Sequence, residues 1–318
     1  MFNLPYIQTA EELIDNAFRA GAKQAKMARS TGKRRDVRLK QSDFRRIEVS
    51  SKFIESTLKS IVKNFPSFER LSPFHQSLLD IKIDRNNYKK SLGAVDWCKG
   101  KIEALGNKEI SAIRRNQSTG REFLGRASSL IKKIEKDLDF LIEVKQALRD
   151  LPMIEEVPTL VVAGFPNVGK STFVKNLTGS NIEVKPYPFT TKDIMIGHFS
   201  VRHVKYQIVD SPGLLERPME HRNKIELQAI SALRFLADKI LFLVDAEQDI
   251  EPQLRLLEEL ALLFKSEIFV GINKIDVASE SKVNAAVLKF SAYRAFRLSA
   301  NSKEDCIALF RLVFGLKG

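Results

Sequence analysis

Through the first half of the chain, apolar residues recur every three or four positions. "TAEELIDNAFRAGAKQAKMAR" opens on Thr9, has Glu12 three residues later and then sets Leu13, Ala17 and Ala20 on one stripe, which predicts a capped amphipathic helix. Gly21 weakens that pattern. Residues from about 40 to 64 predict a second helix, with Phe53, Ile54, Leu58, Ile61 and Val62 as its apolar face. "FHQSLLDIKI" and "NNYKKSLGAVDWCKGKIEAL" predict a third and a fourth. The longest stretch runs from Gly120 to Leu151, with Phe123, Ala127, Leu130, Ile134, Leu138, Leu141, Val144 and Leu148 at helical spacing. Helices with one apolar stripe bury it on one another, so residues 1–155 are expected to form an all-α helical bundle domain. "LPMIEEVP", with Pro152 and Pro158, reads as a short stiff linker.

Beyond the linker the period changes. "TLVVAG", "VKYQIVD", "KILFLVD", "EIFVGIN" and "AFRLSA" are short β-branched or aromatic runs, mostly separated by amphipathic stretches. Such alternation predicts an α/β domain over residues 156–318, with a mostly parallel sheet covered by helices on both faces.

Charge changes the picture of the first half. Residues 1–156 hold 31 of the 52 Lys and Arg against 21 of the 39 Asp and Glu, so most of the net charge of +13 lies there. Between Arg19 and Lys52, twelve basic residues face three acids. A solvated helix face would account for this, but an uncompensated excess also attracts a polyanion, and RNA is the favoured partner. The candidate contacts are Lys33, Arg34, Arg35, Arg38, Lys40, Arg45 and Arg46. No apolar run approaches the ~20 residues needed to span a bilayer, and no basic leader precedes an apolar core, so no membrane association is expected. The two cysteines, Cys98 and Cys306, lack metal-ligand spacing and fit a reducing compartment, so the expected location is cytoplasmic.

The candidate chemistry lies in the second half. "GFPNVGKST" follows "PTLVVA" and fits the phosphate-loop pattern, with Gly164, Gly169, Lys170 and Ser171 in register between a strand and a helix. Asn167, Val168, Gly169, Lys170, Ser171 and Thr172 would line the phosphates. Lys170 would reach the β- and γ-phosphates, and the Ser171 hydroxyl would bind magnesium. "DSPG" follows the strand "YQIV": Asp210 can hold magnesium through water, and the Gly213 N–H can sense the γ-phosphate. In "NKID" the Asp276 carboxylate can accept from the two N–H donors of guanine, which adenine does not offer. Asn273 opens that motif, Lys274 can cover the base plane, and Ser299 with Ala300 supplies an N–H for the guanine O6.

These four motifs, in this order and each at a strand end, resemble the translation-factor-related P-loop GTPases. "PYPFTTKD" is similar to the switch I signature of the Obg-like branch, which implies that Thr191 closes over magnesium and the γ-phosphate. The helical bundle joined to "LVVAGFPNVGKSTFV" resembles the nucleolar GTP-binding protein 1 family. That resemblance implies GTP hydrolysis in assembly of the large ribosomal subunit, binding of pre-ribosomal RNA by the basic domain, and nucleolar location in a eukaryote. Eukaryotic members carry a long C-terminal extension, and this chain stops at Gly318, as expected of a short archaeal-type member that acts as a monomer. Lys170, Thr191, Gly213 and Asn167 are the expected catalytic set. Leu214 stands where many such enzymes place a water-orienting glutamine, so intrinsic turnover is expected to be slow. In related loops an asparagine at the position of Asn167 helps hold potassium, which is therefore a candidate second ion; Asn167 could equally cap its own loop. Two rival functions fit the residues: an RNA-binding scaffold with purely structural GTP, and a regulatory GTPase whose helical domain binds an acidic protein.

Overall fold

The structure is a computed structural model that describes residues 3–29, 35–115, 121–179, 182–188, 193–210, 215–216 and 222–316. The chain divides into two compact units, Met1–Leu71 with Lys82–Arg149, and Ser72–Ile81 with Asp150–Gly318. No helix among the described residues is long and apolar enough to cross a membrane.

The first unit is helical. α1 (Ala10–Arg29) begins with the expected capping box: Thr9 N donates to Glu12 Oε2 at 3.0 Å, and Glu12 N donates to Thr9 Oγ1 at 3.2 Å. α1 packs along α2 (Arg35–Asn64), and α2 along α4 (Arg85–Arg114). Gly21 has a packing role here, because a Cβ on it would lie 2.1 Å from Ser50 Oγ. The Ser50 hydroxyl instead donates to Ala17 O at 3.0 Å, so a small residue on each helix allows close approach.

The single helix expected from Gly120 to Leu151 is two, α5 (Arg121–Lys133) and α6 (Glu135–Asp150). At the break Ile134 N bonds Ile131 O at 3.1 Å, a three-residue closure in place of the four-residue one. The charges match two helix ends: Lys132 and Lys133 close α5, while Glu135 and Asp137 open α6, each sign complementing the local end of the helix dipole.

The second unit is a seven-stranded sheet in the order β2-β3-β4-β1-β5-β6-β7. β1 (Thr159–Ala163), β4 (Val204–Asp210), β5 (Lys239–Asp245), β6 (Glu267–Asn273) and β7 (Arg294–Arg297) are the five strands expected, and all pair in parallel. β2 (Ile182–Pro186) and β3 (Asp193–Val201) add an antiparallel edge that the alternation did not reveal. A two-residue turn joins β3 to β4, with Arg202 at φ +48° and His203 at φ +68°, the left-handed pair that a tight hairpin requires.

α7 (Lys170–Thr178) and α11 (Lys303–Val313) cover one face, where Phe173, Val174, Phe310 and Val313 join Val162, Ile208 and Leu241 in the core. The short α3 (Pro73–Leu79) belongs to this unit despite its place in the chain, and it packs on α8 (Lys224–Leu233). His75 fixes it in place: Nε2 lies 2.9 Å from Pro152 O, and Nδ1 lies 2.8 Å from Ser72 Oγ. α9 (Ile250–Leu263) and α10 (Glu280–Lys289) complete the set.

Candidate nucleotide-binding site

The parallel strands end together, and the loops that leave them carry the candidate residues. This carboxyl edge is where open parallel sheets bind ligands. After β1 the chain turns through Asn167, at φ +62°, a left-handed conformation that asparagine tolerates. Gly169 follows at φ +99°, where a Cβ would lie 2.3 Å from Asn273 Nδ2. Only glycine allows the phosphate loop to lie so close to the end of β6.

α7 then starts at Lys170, presenting free backbone N–H groups toward an anion. Lys170 is 4% exposed; its Nζ donates to Gly164 O at 3.1 Å and Phe165 O at 2.8 Å, and it pairs with Glu216 Oε1 at 2.7 Å. Ser171 Oγ donates to Asp210 Oδ2 at 3.0 Å, and Asp210, the last residue of β4, is fully buried. Thr172 is exposed on the first turn of α7.

The candidate base-reading side is built on Asn273, which ends β6. Its Nδ2 donates to Val168 O at 2.7 Å, and its Oδ1 accepts from Ala300 N at 2.7 Å, so one buried amide ties three loops together. Ala300 O accepts in turn from Asn176 Nδ2 at 2.6 Å, and Ser299 N donates to Asp305 Oδ2 at 2.8 Å. Lys274, at φ +65°, places Nζ 2.6 Å from Asp245 Oδ2, whose residue is 1% exposed. Asp276 is exposed and accepts from Asn301 Nδ2 at 3.1 Å. That hydrogen bond, and a second from Ser299, hold its carboxyl below the usual carboxylate range, so it stays an acceptor.

Asn167 to Thr172, Asp210, Asn273, Lys274, Asp276, Ser299 and Ala300 therefore meet along one edge. Thr191 and Gly213, with Leu214, lie outside the described residues. Of the basic set, Lys33 and Arg34 also lie outside them. Arg35, Arg38, Lys40, Arg45 and Arg46 are on α2, where the helical period turns Lys40 away from the flank shared by the others. Arg45 pairs with Glu48 at 2.7 Å, which compensates part of the charge.

The sequence reading missed Glu216, Asp245, Asn301, Asp305 and Asn176. Asp245 ends the run "KILFLVD" just as Asp210 ends "VKYQIVD", and that parallel was a usable signal. The others are short-range partners that only the folded loops identify.

A glycine-bearing phosphate loop, a strand-end aspartate beside its serine and an asparagine amide that ties that loop to the segment at Ala300 define a P-loop GTPase domain, here preceded by an all-α domain. Residues 2–155 match the family described as NOG1 N-terminal helical domain, and residues 159–274 match that described as 50S ribosome-binding GTPase. The chain is 37% identical to an uncharacterized protein of Methanocaldococcus jannaschii, over 88% of this chain and 82% of that one. It is 35% identical to nucleolar GTP-binding protein 1 of Caenorhabditis elegans, over 74% of this chain and 37% of that protein. For the same-named protein of Encephalitozoon cuniculi the figures are 33%, 85% and 54%. The chain belongs to the nucleolar GTP-binding protein 1 family, although it spans only about a third to a half of those eukaryotic relatives.

Proposed function

We propose that this protein is a GTP-hydrolysing assembly factor of the large ribosomal subunit, which binds ribosomal RNA or an assembly intermediate through its basic helical domain. It works as a cytoplasmic monomer, and its RNA affinity depends on whether GTP or GDP is bound. The strongest support is the Asn273 amide, which ties the phosphate loop to the loop at Ala300, as a site meant to hold both ends of a nucleotide would need. The match to a 50S ribosome-binding GTPase family supports the choice of subunit.

The Ser171 hydroxyl and the Asp210 carboxylate form an all-oxygen donor set that suits magnesium, with Thr191 as a further ligand. Bound there, the ion would neutralise charge on the phosphate oxygens. Lys170, already aimed along the loop by two carbonyls, orients the β- and γ-phosphates, and the Gly213 N–H senses the latter. Because Leu214 can neither donate nor accept a hydrogen bond, the protein orients attacking water poorly and turns over slowly alone. Asn167 would help hold a potassium ion, which would supply the missing positive charge.

The test is RNA binding measured against salt in the full chain. Affinity should fall steeply with salt, and neutralising Lys33, Arg34 and Arg35 together should flatten the slope by up to ~3 while GTP affinity barely changes. Crosslinked reads should concentrate on large-subunit ribosomal RNA. An unchanged slope together with reads scattered over unrelated RNAs would overturn the proposal.

A further inference from the structure

A second basic surface lies on α4, away from the segment that the charge count singled out. At 100° per residue, Lys90, Trp97, Lys101 and Lys108 fall within about 40° of one another on this helix, and all four are exposed. The acids Asp96 and Glu103 lie on the far side, and Glu109 is buried. The ion pairs of α4 at Lys89 with Glu69 and at Lys99 with Asp96 are off this stripe, so its lysines are left to face solvent.

Trp97 is the one tryptophan of the chain and is 45% exposed. An indole stem would gain from burial in the bundle, and here it stands instead among cations. Beside it runs a groove of about 430 Å³ between α4 and α5, floored by Leu105, Gly125 and Leu130 and edged by Lys101, Arg126 and Lys133. Arg126 is held by Glu109 and Glu122, whereas among the described residues no ion pair engages Lys101 or Lys133. The helices run antiparallel, as the pairs Cys98 with Leu130 and Glu109 with Arg126 show, so Lys133 lies toward the Trp97 end.

We propose that this groove and the Trp97 stripe bind single-stranded RNA, with a base stacked on the indole and backbone phosphates on Lys101 and Lys133. A flat aromatic face interleaved with exposed lysines is the pairing that single strands require: stacking accepts any base, and the cations track the backbone. A folded duplex would present no free base to the indole, so the occupant is an unpaired segment. The inference rests on the RNA-binding reading above but assigns a different surface and a different kind of contact.

Because Trp97 is the sole tryptophan, its emission reports the contact directly. The full chain is titrated with an oligouridylate of about a dozen nucleotides and, separately, with polyphosphate as a chain of similar charge without bases. RNA should quench Trp97, and polyphosphate should bind without comparable quenching. Trp97→Ala should weaken RNA roughly tenfold and leave polyphosphate affinity unchanged, and Trp97→Phe should restore most of the loss. Replacing Lys101 and Lys133 with Gln should flatten the salt slope by up to ~1.4, at ~0.7 per single-strand phosphate. RNA binding with full salt dependence but no quenching, and with Trp97→Ala within twofold of the parent, would reject this surface and leave the wider reading intact. No RNA binding at all would overturn both.

Discussion

Replacing Asn273 should loosen the nucleotide site before any nucleotide is added. In Asn273→Ala, Val168 O loses its donor and Ala300 N loses its acceptor, each now 2.7 Å from the amide. Both residues are buried, so each stranded group costs about 1–3 kcal/mol, and the pair about 2–5 kcal/mol once some water entry is allowed. For a unit of this size 1 kcal/mol shifts the melting temperature by about 2–4 °C, so a fall of about 5–15 °C is expected. Asn273→Asp separates the two bonds. Its carboxylate still accepts from Ala300 N, but it has no hydrogen for Val168 O and sets an oxygen against it. Calorimetry of the full chain is the assay, with the transition of the second unit recognised by its upward shift when GDP is added. GTP affinity should fall in both variants. A second-unit transition within about 1 °C of the parent in both variants would refute the bracing role, as would an aspartate variant as stable as the parent.

Asp276→Asn should lower GTP affinity by ~2–4 kcal/mol, since the acceptor proposed to meet two guanine donors becomes partly a donor; equal binding of ATP and GTP by the parent would contradict this. Desolvation lowers the His75 pKa below 6.5, although the Pro152 carbonyl opposes it. The unfolded chain therefore binds the proton first, and stability should fall as pH drops through about 6.5 toward the folded value. His75→Gln should flatten that fall in melting experiments from pH 7.5 to 5.5, and parallel curves would exclude the His75 contribution. Hydrolysis should be faster in potassium than in matched sodium chloride with magnesium constant, and Asn167→Ala should remove the difference while GTP still binds; equal parent rates in the two salts would end that idea.

What the sequence determined by itself is local. Apolar spacing of three to four placed α1, α2 and α4, short β-branched runs placed the five parallel strands, and Lys170, Asp210, Asn273 and Asp276 stand within motifs a few residues long. Each such signal depends on a residue's neighbours in the chain, so it can be read before folding. The break at Ile134 was also legible, had the charges on either side of it been weighed against the unbroken apolar stripe. β2 and β3 were hidden because an edge hairpin is stabilised by its pairing to β4 more than by its own composition.

Tertiary structure alone decided the rest. α3 lies between bundle helices in sequence yet folds with the sheet, because its apolar residues Phe74, Leu78 and Leu79 are buried in that unit. Asn273 read as one letter of a base-recognition motif; that its amide also ties Val168 to Ala300 depends on loops 105 and 27 residues away in the chain. The same holds for Trp97, whose place within "NNYKKSLGAVDWCKGKIEAL" does not reveal whether it is buried. Its exposure among lysines follows from which face of α4 the bundle covers, and a spacing rule for one helix cannot contain that information.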